Sequence, residues 1–317
     1  MESSRSHTAG NALSSARAVR LGVLLAGITC ASAVTTPTAD AQSPTPRPEQ
    51  RVALVTGSTS GLGRELALRL GSMGMRVIVH GRNRERGMEV VEAIEREGVG
   101  NARFYAADLA SLAQVHEFGE AVLSDYDRLD LLVNNAGIGP SPDGRLLSED
   151  GHELLFQVNH LSHFLLTRLL LPRLLENAPS RIVNVTSSAQ GPIDFDDVMM
   201  ENNFTTWRAY RQSKLAQVMF TFDLAAELDG TDVIVNTVDP ANNMPTPMVR
   251  RAGVTVKATI AEGADAVMQL VTSPDIGSGR YFSELLPGTA NDQAYDEEAR
   301  AKLWQLSEEL TGARRPG

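Results

Sequence analysis

The sequence predicts a doubly wound α/β fold, a mostly parallel sheet with helices on both faces. Two observations carry that expectation. Between residues 51 and 238, six short apolar runs rich in β-branched residues alternate with stretches of helical period. A glycine-rich turn also joins the first run to the first helical stretch. Parallel neighbours need crossover connections, and helices serving as those crossovers cover both faces of the sheet. With 317 residues, 42% of them hydrophobic, the chain has material for a sizeable core, and about 267 residues from 51 to 317 fit one domain.

Taken in order, strands are expected from Val52 to Thr56, Arg76 to His80, Ala102 to Ala106, Leu129 to Val133, Arg181 to Thr186 and Asp232 to Val238. Helices are expected from Leu62 to Met73, Arg84 to Arg96, Leu112 to Leu123, His152 to Leu175 and Tyr210 to Leu228. The segment from Pro240 to Val256 has three prolines and no periodicity, which makes it a loop at the carboxyl end of the sixth strand. Open α/β sheets bind ligands at that edge.

Composition excludes several functions. A net charge of -10 argues against a protein that neutralises nucleic-acid phosphates. A single cysteine, Cys30, precludes an intramolecular disulfide or a multi-thiolate metal site. The first residues have a different character. Arg5, Arg17 and Arg20 precede an apolar run from Leu21 to Val34, and Ala39-Asp40-Ala41 follows. This is the pattern of a signal peptide over residues 1–41, cleaved before Gln42, with residues 42–50 as a proline-bearing linker. The apolar run is short for a stable membrane span. The expected location is exported or periplasmic if the signal is used and cytoplasmic otherwise.

The first turn reads Thr56-Gly57-Ser58-Thr59-Ser60-Gly61-Leu62-Gly63. Glycines there let the backbone approach a pyrophosphate, and a helix N-terminus offers free N–H groups. The spacing lacks the G-K-[ST] ending of a P-loop and differs from G-x-G-x-x-G. After the second strand, where an acid would hold the ribose of NAD, stands Gly81-Arg82-Asn83-Arg84. A guanidinium pairs with a 2′-phosphate, so NADP(H) is the expected cofactor; the plain structural reading is a pair of solvated loop charges. Gly57, Ser58, Ser60, Gly61, Leu62, Gly63, Arg82 and Asn83 make up this part of the expected cofactor site.

Further motifs follow in order: Asp108-Leu109, Asn134-Asn135-Ala136-Gly137, Asn159-His160-Leu161-Ser162-His163-Phe164, Val185-Thr186-Ser187-Ser188 and Tyr210-x3-Lys214. With the glycine turn, they make the chain resemble the short-chain dehydrogenase/reductase family, in its branch of retinol dehydrogenases and carbonyl reductases, from about Arg51 to Gly312. The resemblance implies a Rossmann-type sheet and adds Asp108, Leu109, Asn135, Ala136, Gly137, Tyr210, Lys214, Pro240 and Thr246 to the cofactor site. It implies a homodimer or homotetramer, and a C-terminal helix around Leu303 to Ser307.

Tyr210 and Lys214 are four apart on a predicted helix and share a face. A nearby ammonium favours phenolate, which predicts that Lys214 lowers the tyrosine's pKa. By resemblance, Tyr210 is the general acid/base, Lys214 also holds the nicotinamide ribose, Ser187 binds the substrate oxygen, and Asn159 positions the lysine through water. His160 and His163 are read as structural, and Asp194, Asp196 and Asp197 as a solvated loop, so no metal site is expected. The chain departs from the family at Pro240-Ala241, where Pro-Gly is usual, and Thr246 falls six residues after Pro240, where five is usual. The expected function is NADP(H)-dependent interconversion of a secondary alcohol and a ketone, or of an alcohol and an aldehyde, on an apolar or ring-containing molecule. Alternatives are reduction of an activated C=C bond, or a non-catalytic NADP-sensing protein.

Overall fold

The computed structural model describes residues 50–140 and 142–314. The expected signal peptide and all of the linker but residue 50 lie outside the described residues.

Among the described residues, eight strands form one sheet in the order β3-β2-β1-β4-β5-β6-β7-β8. They are β1 (Val52–Val55), β2 (Arg76–Gly81), β3 (Asn101–Ala106), β4 (Leu131–Asn134), β5 (Ser180–Val185), β6 (Val233–Asp239), β7 (Arg280–Ser283) and β8 (Leu286–Pro287). Every pairing is parallel except β7 with β8. The chain runs outward from β1 to β3 and returns to place β4 on the other side of β1. That reversal opens a crevice at the carboxyl ends of β1 and β4.

The helices are α1 (Gly61–Ser72), α2 (Arg84–Glu97), α3 (Leu112–Asp125), α4 (Leu154–Phe156), α5 (Ser162–Glu176), α6 (Thr206–Glu227), α7 (Pro247–Ala252), α8 (Ile260–Thr272) and α9 (Glu297–Thr311). Alternation along the strands divides the core. Ala53 and Val55 of β1 pack with Leu66, Val90 and Val267 under α1, α2 and α8. Val52 and Leu54 face the opposite layer, with Val115, Phe164 and Phe220 of α3, α5 and α6. α9 closes that second layer, where Trp304 stacks edge-on to Phe164 at 5.2 Å. None of the helices among the described residues is long and apolar enough to cross a membrane.

Three expectations need correction. The fourth strand is Leu131–Asn134 rather than Leu129 to Val133, although the Asp130 backbone still donates to the Val52 carbonyl and accepts from the Arg181 N–H. The helix expected from His152 to Leu175 is interrupted by a π-helical segment, Gln157–Leu161, between α4 and α5. The loop from Pro240 to Val256 contains α7, whose start is set by the Thr246 side chain accepting from the Val249 N–H and by Pro247 at the first turn. β7, β8 and α8 extend the expected pattern; α8 starts at a reciprocal capping box between Thr259 and Glu262.

Candidate active site

The turns at the carboxyl ends of β1, β2, β4, β5 and β6 line a cleft of about 610 Å³. Its floor is the glycine turn. Gly57 has φ +66, and a Cβ there would stand 2.8 Å from the Ala136 Cα. At Gly63 a Cβ would strike the Asn135 side chain and the Gly57 carbonyl. The N-terminus of α1 opens here with no side-chain cap from Ser60, leaving its first N–H groups free for an anion. A close backbone approach, a free helix N-terminus and an arginine at the rim together suit a dinucleotide.

Most of the expected site residues line this cleft, including Ser60, Gly61, Leu62, Arg82, Asp108, Leu109, Asn135, Ala136, Gly137, Ser187, Tyr210, Lys214, Pro240 and Thr246. Ser58, Asn83 and Asn159 do not. The Ser58 hydroxyl turns into the sheet, donating to the Val55 carbonyl at 2.8 Å and accepting from the His80 N–H at 2.9 Å. Asn83 caps α2 by accepting from the Arg86 N–H. At the rim Arg82 pairs with Asp108 at 3.2 Å, while Asp108 also accepts from the Ala110 N–H.

Behind the cleft, the π-helical segment carries Asn159. Its Oδ1 accepts from the Ile138 N–H at 2.9 Å, and its Nδ2 donates to the Ile138 carbonyl at 3.0 Å and to Ser213 Oγ at 2.9 Å. One side chain thereby ties the turn after β4 to α6. Buried His163 lies beside it, its Nδ1 3.1 Å from the Asn159 carbonyl and its Nε2 3.1 Å from Thr56 Oγ1. A carbonyl only accepts, so this contact, shorter than the 3.4 Å one from Gln217 Nε2 to the same Nδ1, favours the proton on Nδ1 with Nε2 accepting from Thr56. Thr56 in turn accepts from the N–H groups of Asn135 and Ala136, each at 2.9 Å. His160 points elsewhere, to Ser307 on α9 at 2.8 Å.

α6 brings Tyr210 and Lys214 to the cleft on one face. Ser187, just past β5, lines the same cleft. Lys214 is 3% exposed; its Nζ donates to Gln217 Oε1 at 2.8 Å and to the Val185 carbonyl at 3.3 Å. Burial brings this amine down to about 7. Tyr210 goes the other way from the sequence expectation. Burial pushes its hydroxyl up to about 12, with Asp239 adding to the rise and only Ser187 opposing it. The ammonium lies 5.9 Å from the tyrosine ring centroid and bonds to Gln217, so burial outweighs its pull.

Sequence reasoning passed over two residues in the cleft. Asp239 is the last residue of β6 and is buried; its only sequence signal is an acid immediately before Pro240. Trp207 stands one turn before Tyr210, its ring edge-on at 6.1 Å, and is 43% exposed on the cleft wall.

A parallel sheet with a dinucleotide-type cleft at its switch point, and a serine, tyrosine and lysine converging on it, defines the dehydrogenase class of α/β proteins. The chain belongs to the short chain dehydrogenase family, whose pattern matches residues 51–256. It is 38% identical to retinol dehydrogenase 14 of Homo sapiens in a 292-residue alignment that covers 83% of this chain and 86% of that protein. Polyprenol dehydrogenase of Mus musculus is 38% identical over 285 residues, covering 83% and 84% of the two chains. A metagenomic short-chain oxidoreductase, solved in complex with NADP, superposes with a TM-score of 0.57 at 29% identity, over 72% of this chain and 93% of that one. The protein is thus a retinol dehydrogenase-like member of a family of oxidoreductases.

Proposed function

We propose that the protein is an NADP(H)-dependent oxidoreductase interconverting a secondary alcohol and a ketone, or an alcohol and an aldehyde, on an apolar or ring-containing small molecule. The observation that carries this reading is the convergence of Ser187 and Tyr210 on one cleft, with buried Lys214 one turn further along α6. Two hydroxyls so placed can both bind one substrate oxygen. A nicotinamide, when bound, supplies or accepts hydride at the adjacent carbon.

In carbonyl reduction, Tyr210 donates its proton to the substrate oxygen while Ser187 stabilises the charge gathering there. A tyrosine held near 12 is protonated at neutral pH, the form required of a donor. Lys214 favours the resulting phenolate and can return a proton to it. Asn159 acts on both from behind, through Ser213 and the turn after β4. Arg82 favours a 2′-phosphate on the nucleotide, exchanging its bond with Asp108 for the phosphate. Trp207, with Leu146, Ile138 and Met248, gives the cleft an apolar wall suited to a ring. Relatives named for retinol and polyprenol, both apolar alcohols, support the same substrate class.

The test is NADPH oxidation by the purified protein against aliphatic, aromatic and polycyclic ketones and aldehydes, with NADH and Tyr210→Phe in parallel. Turnover that prefers NADPH and falls by about 10²-fold or more in the variant is expected. Full activity in Tyr210→Phe would overturn the assignment of the proton donor, and nucleotide binding without turnover across the panel would favour a sensor.

A further inference from the structure

A lysine has a flexible four-carbon stem, so its ammonium points one way only where fixed acceptors hold it. Lys214 meets two such acceptors, Gln217 Oε1 at 2.8 Å and the Val185 carbonyl at 3.3 Å. Gln217 lies three residues further along α6 and is itself buried, while Val185 ends β5. The two elements are tied to each other on both sides of the lysine. Thr186 Oγ1 donates to the Lys214 carbonyl at 2.8 Å. Thr221 Oγ1 donates to the Gln217 carbonyl at 2.8 Å and accepts from Asn184 Nδ2 of β5 at 2.8 Å. Both acceptors therefore stand on one rigid joint. They take two of the three ammonium N–H groups from behind, which leaves one for the cleft that Lys214 lines.

An ammonium only donates, so the Gln217 amide must turn Oε1 to it, and Nε2 then faces α5, 3.4 Å from His163 Nδ1. We propose that Gln217 is a positioning residue for this lysine, its side-chain oxygen aiming the Lys214 ammonium so that a single N–H faces the cleft. This rests on the reading of Lys214 as the partner of Tyr210 in proton exchange.

The choice of an amide over a carboxylate has a consequence for the proton. A carboxylate at 2.8 Å would hold the proton on Lys214 across the neutral range. A neutral acceptor steers the ammonium and leaves the amine near 7, where burial has brought it, so the proton is both directed and exchangeable. The titratable groups around the lysine are Tyr210 on α6, with its ring centroid 5.9 Å away, His163 on α5, buried and neutral, and Asp239 at the end of β6. Of the side chains among the described residues, Gln217 is the one hydrogen-bonded to the ammonium.

The chain has three lysines, Lys214, Lys257 and Lys302, and the last two are exposed. Protein labelled with carbon-13 at the lysine Cε therefore gives few NMR signals, and Lys214→Met identifies the buried one. The test follows that signal against pH in wild type, Gln217→Leu, Gln217→Met and Gln217→Glu, each as the full chain and each checked for folding by circular dichroism. The wild-type midpoint should stand near 7. It should fall by about one unit in the two apolar variants, which lose the acceptor, and rise by about one unit or more in Gln217→Glu, which adds a charge. For ketone reduction with NADPH, kcat should fall about tenfold in the apolar variants with the ketone KM within about twofold. An unmoved midpoint and kcat in the folded apolar variants overturn the proposal, as do shifts of one sign in all three variants, which general loosening would produce. Where the apolar variants fail to fold, the Gln217→Glu midpoint decides: a rise supports the proposal, and no change or a fall overturns it. Full activity in Tyr210→Phe overturns the acid/base reading instead, while the Lys214 titration still decides whether Gln217 holds the ammonium.

Discussion

Lys214 is a charge carrier placed where charge is expensive. Its amine titrates near 7 in the fold against an ordinary 10.5, because burial disfavours the ammonium. Below about pH 7 both folded and unfolded chains hold the proton, and the full cost of burying it falls on the fold; that cost fades as pH rises towards 10.5. Lys214→Met should therefore raise the melting temperature, by more at about pH 6 than at about pH 9.5, while abolishing turnover. A thermal melt at the two pH values reads this directly. Arg82 behaves differently, since its guanidinium is exposed and bonds only to Asp108 among the described residues. Arg82→Ala should leave stability within about 0.5 kcal/mol and narrow the preference for NADPH over NADH, measured as the ratio of their Kd values.

At the scale of elements, the site depends on close joints between turns. Gly63→Ala would drive a methyl group against Asn135 and the Gly57 carbonyl, and should cost about 1–3 kcal/mol of stability together with nucleotide affinity. Trp207→Ala removes one apolar wall beside Tyr210. It should raise KM for aromatic ketones more than for small aliphatic ones, with kcat little changed in a steady-state comparison. The sequence made the first six strands legible because each is a short apolar run followed by a turn. β7 and β8 were not legible as strands: the four residues of β7 have an exposed, buried, buried, exposed pattern, and β8 is two residues long. The π-helical segment was hidden for another reason, since an added residue within a helix leaves composition and apolar content unchanged. The site was legible wherever a side chain belongs to a spaced motif, as Tyr210 and Lys214 do. It was not legible where a role depends on burial, as with the raised tyrosine, the carboxylate of Asp239 and the inward turn of Ser58.

At the scale of the whole molecule, three histidines among the described residues lie buried and neutral: His80, held at about 4, and His160 and His163, at about 3. Each has a depressed folded value against an unfolded 6.5, so their contribution is present above pH 6.5 and is lost as pH falls towards 4 and 3. Unfolding near pH 5 should take up to three protons through these groups, seen as a steep fall of the urea midpoint between about pH 6.5 and 4, and His160→Gln should flatten it. The two ends of the sheet carry a separate consequence. At one end, β8 offers two residues, one of them Pro287, which has no N–H to donate. At the other, β3 carries Arg103, paired to Asp125 at 2.9 Å and laid over the Tyr105 ring. A proline blunts one margin and a fixed charge guards the other, so the sheet presents no easy template for a stray strand. A crowded or partly unfolded population of this chain is protected against edge-to-edge aggregation by two unlike devices.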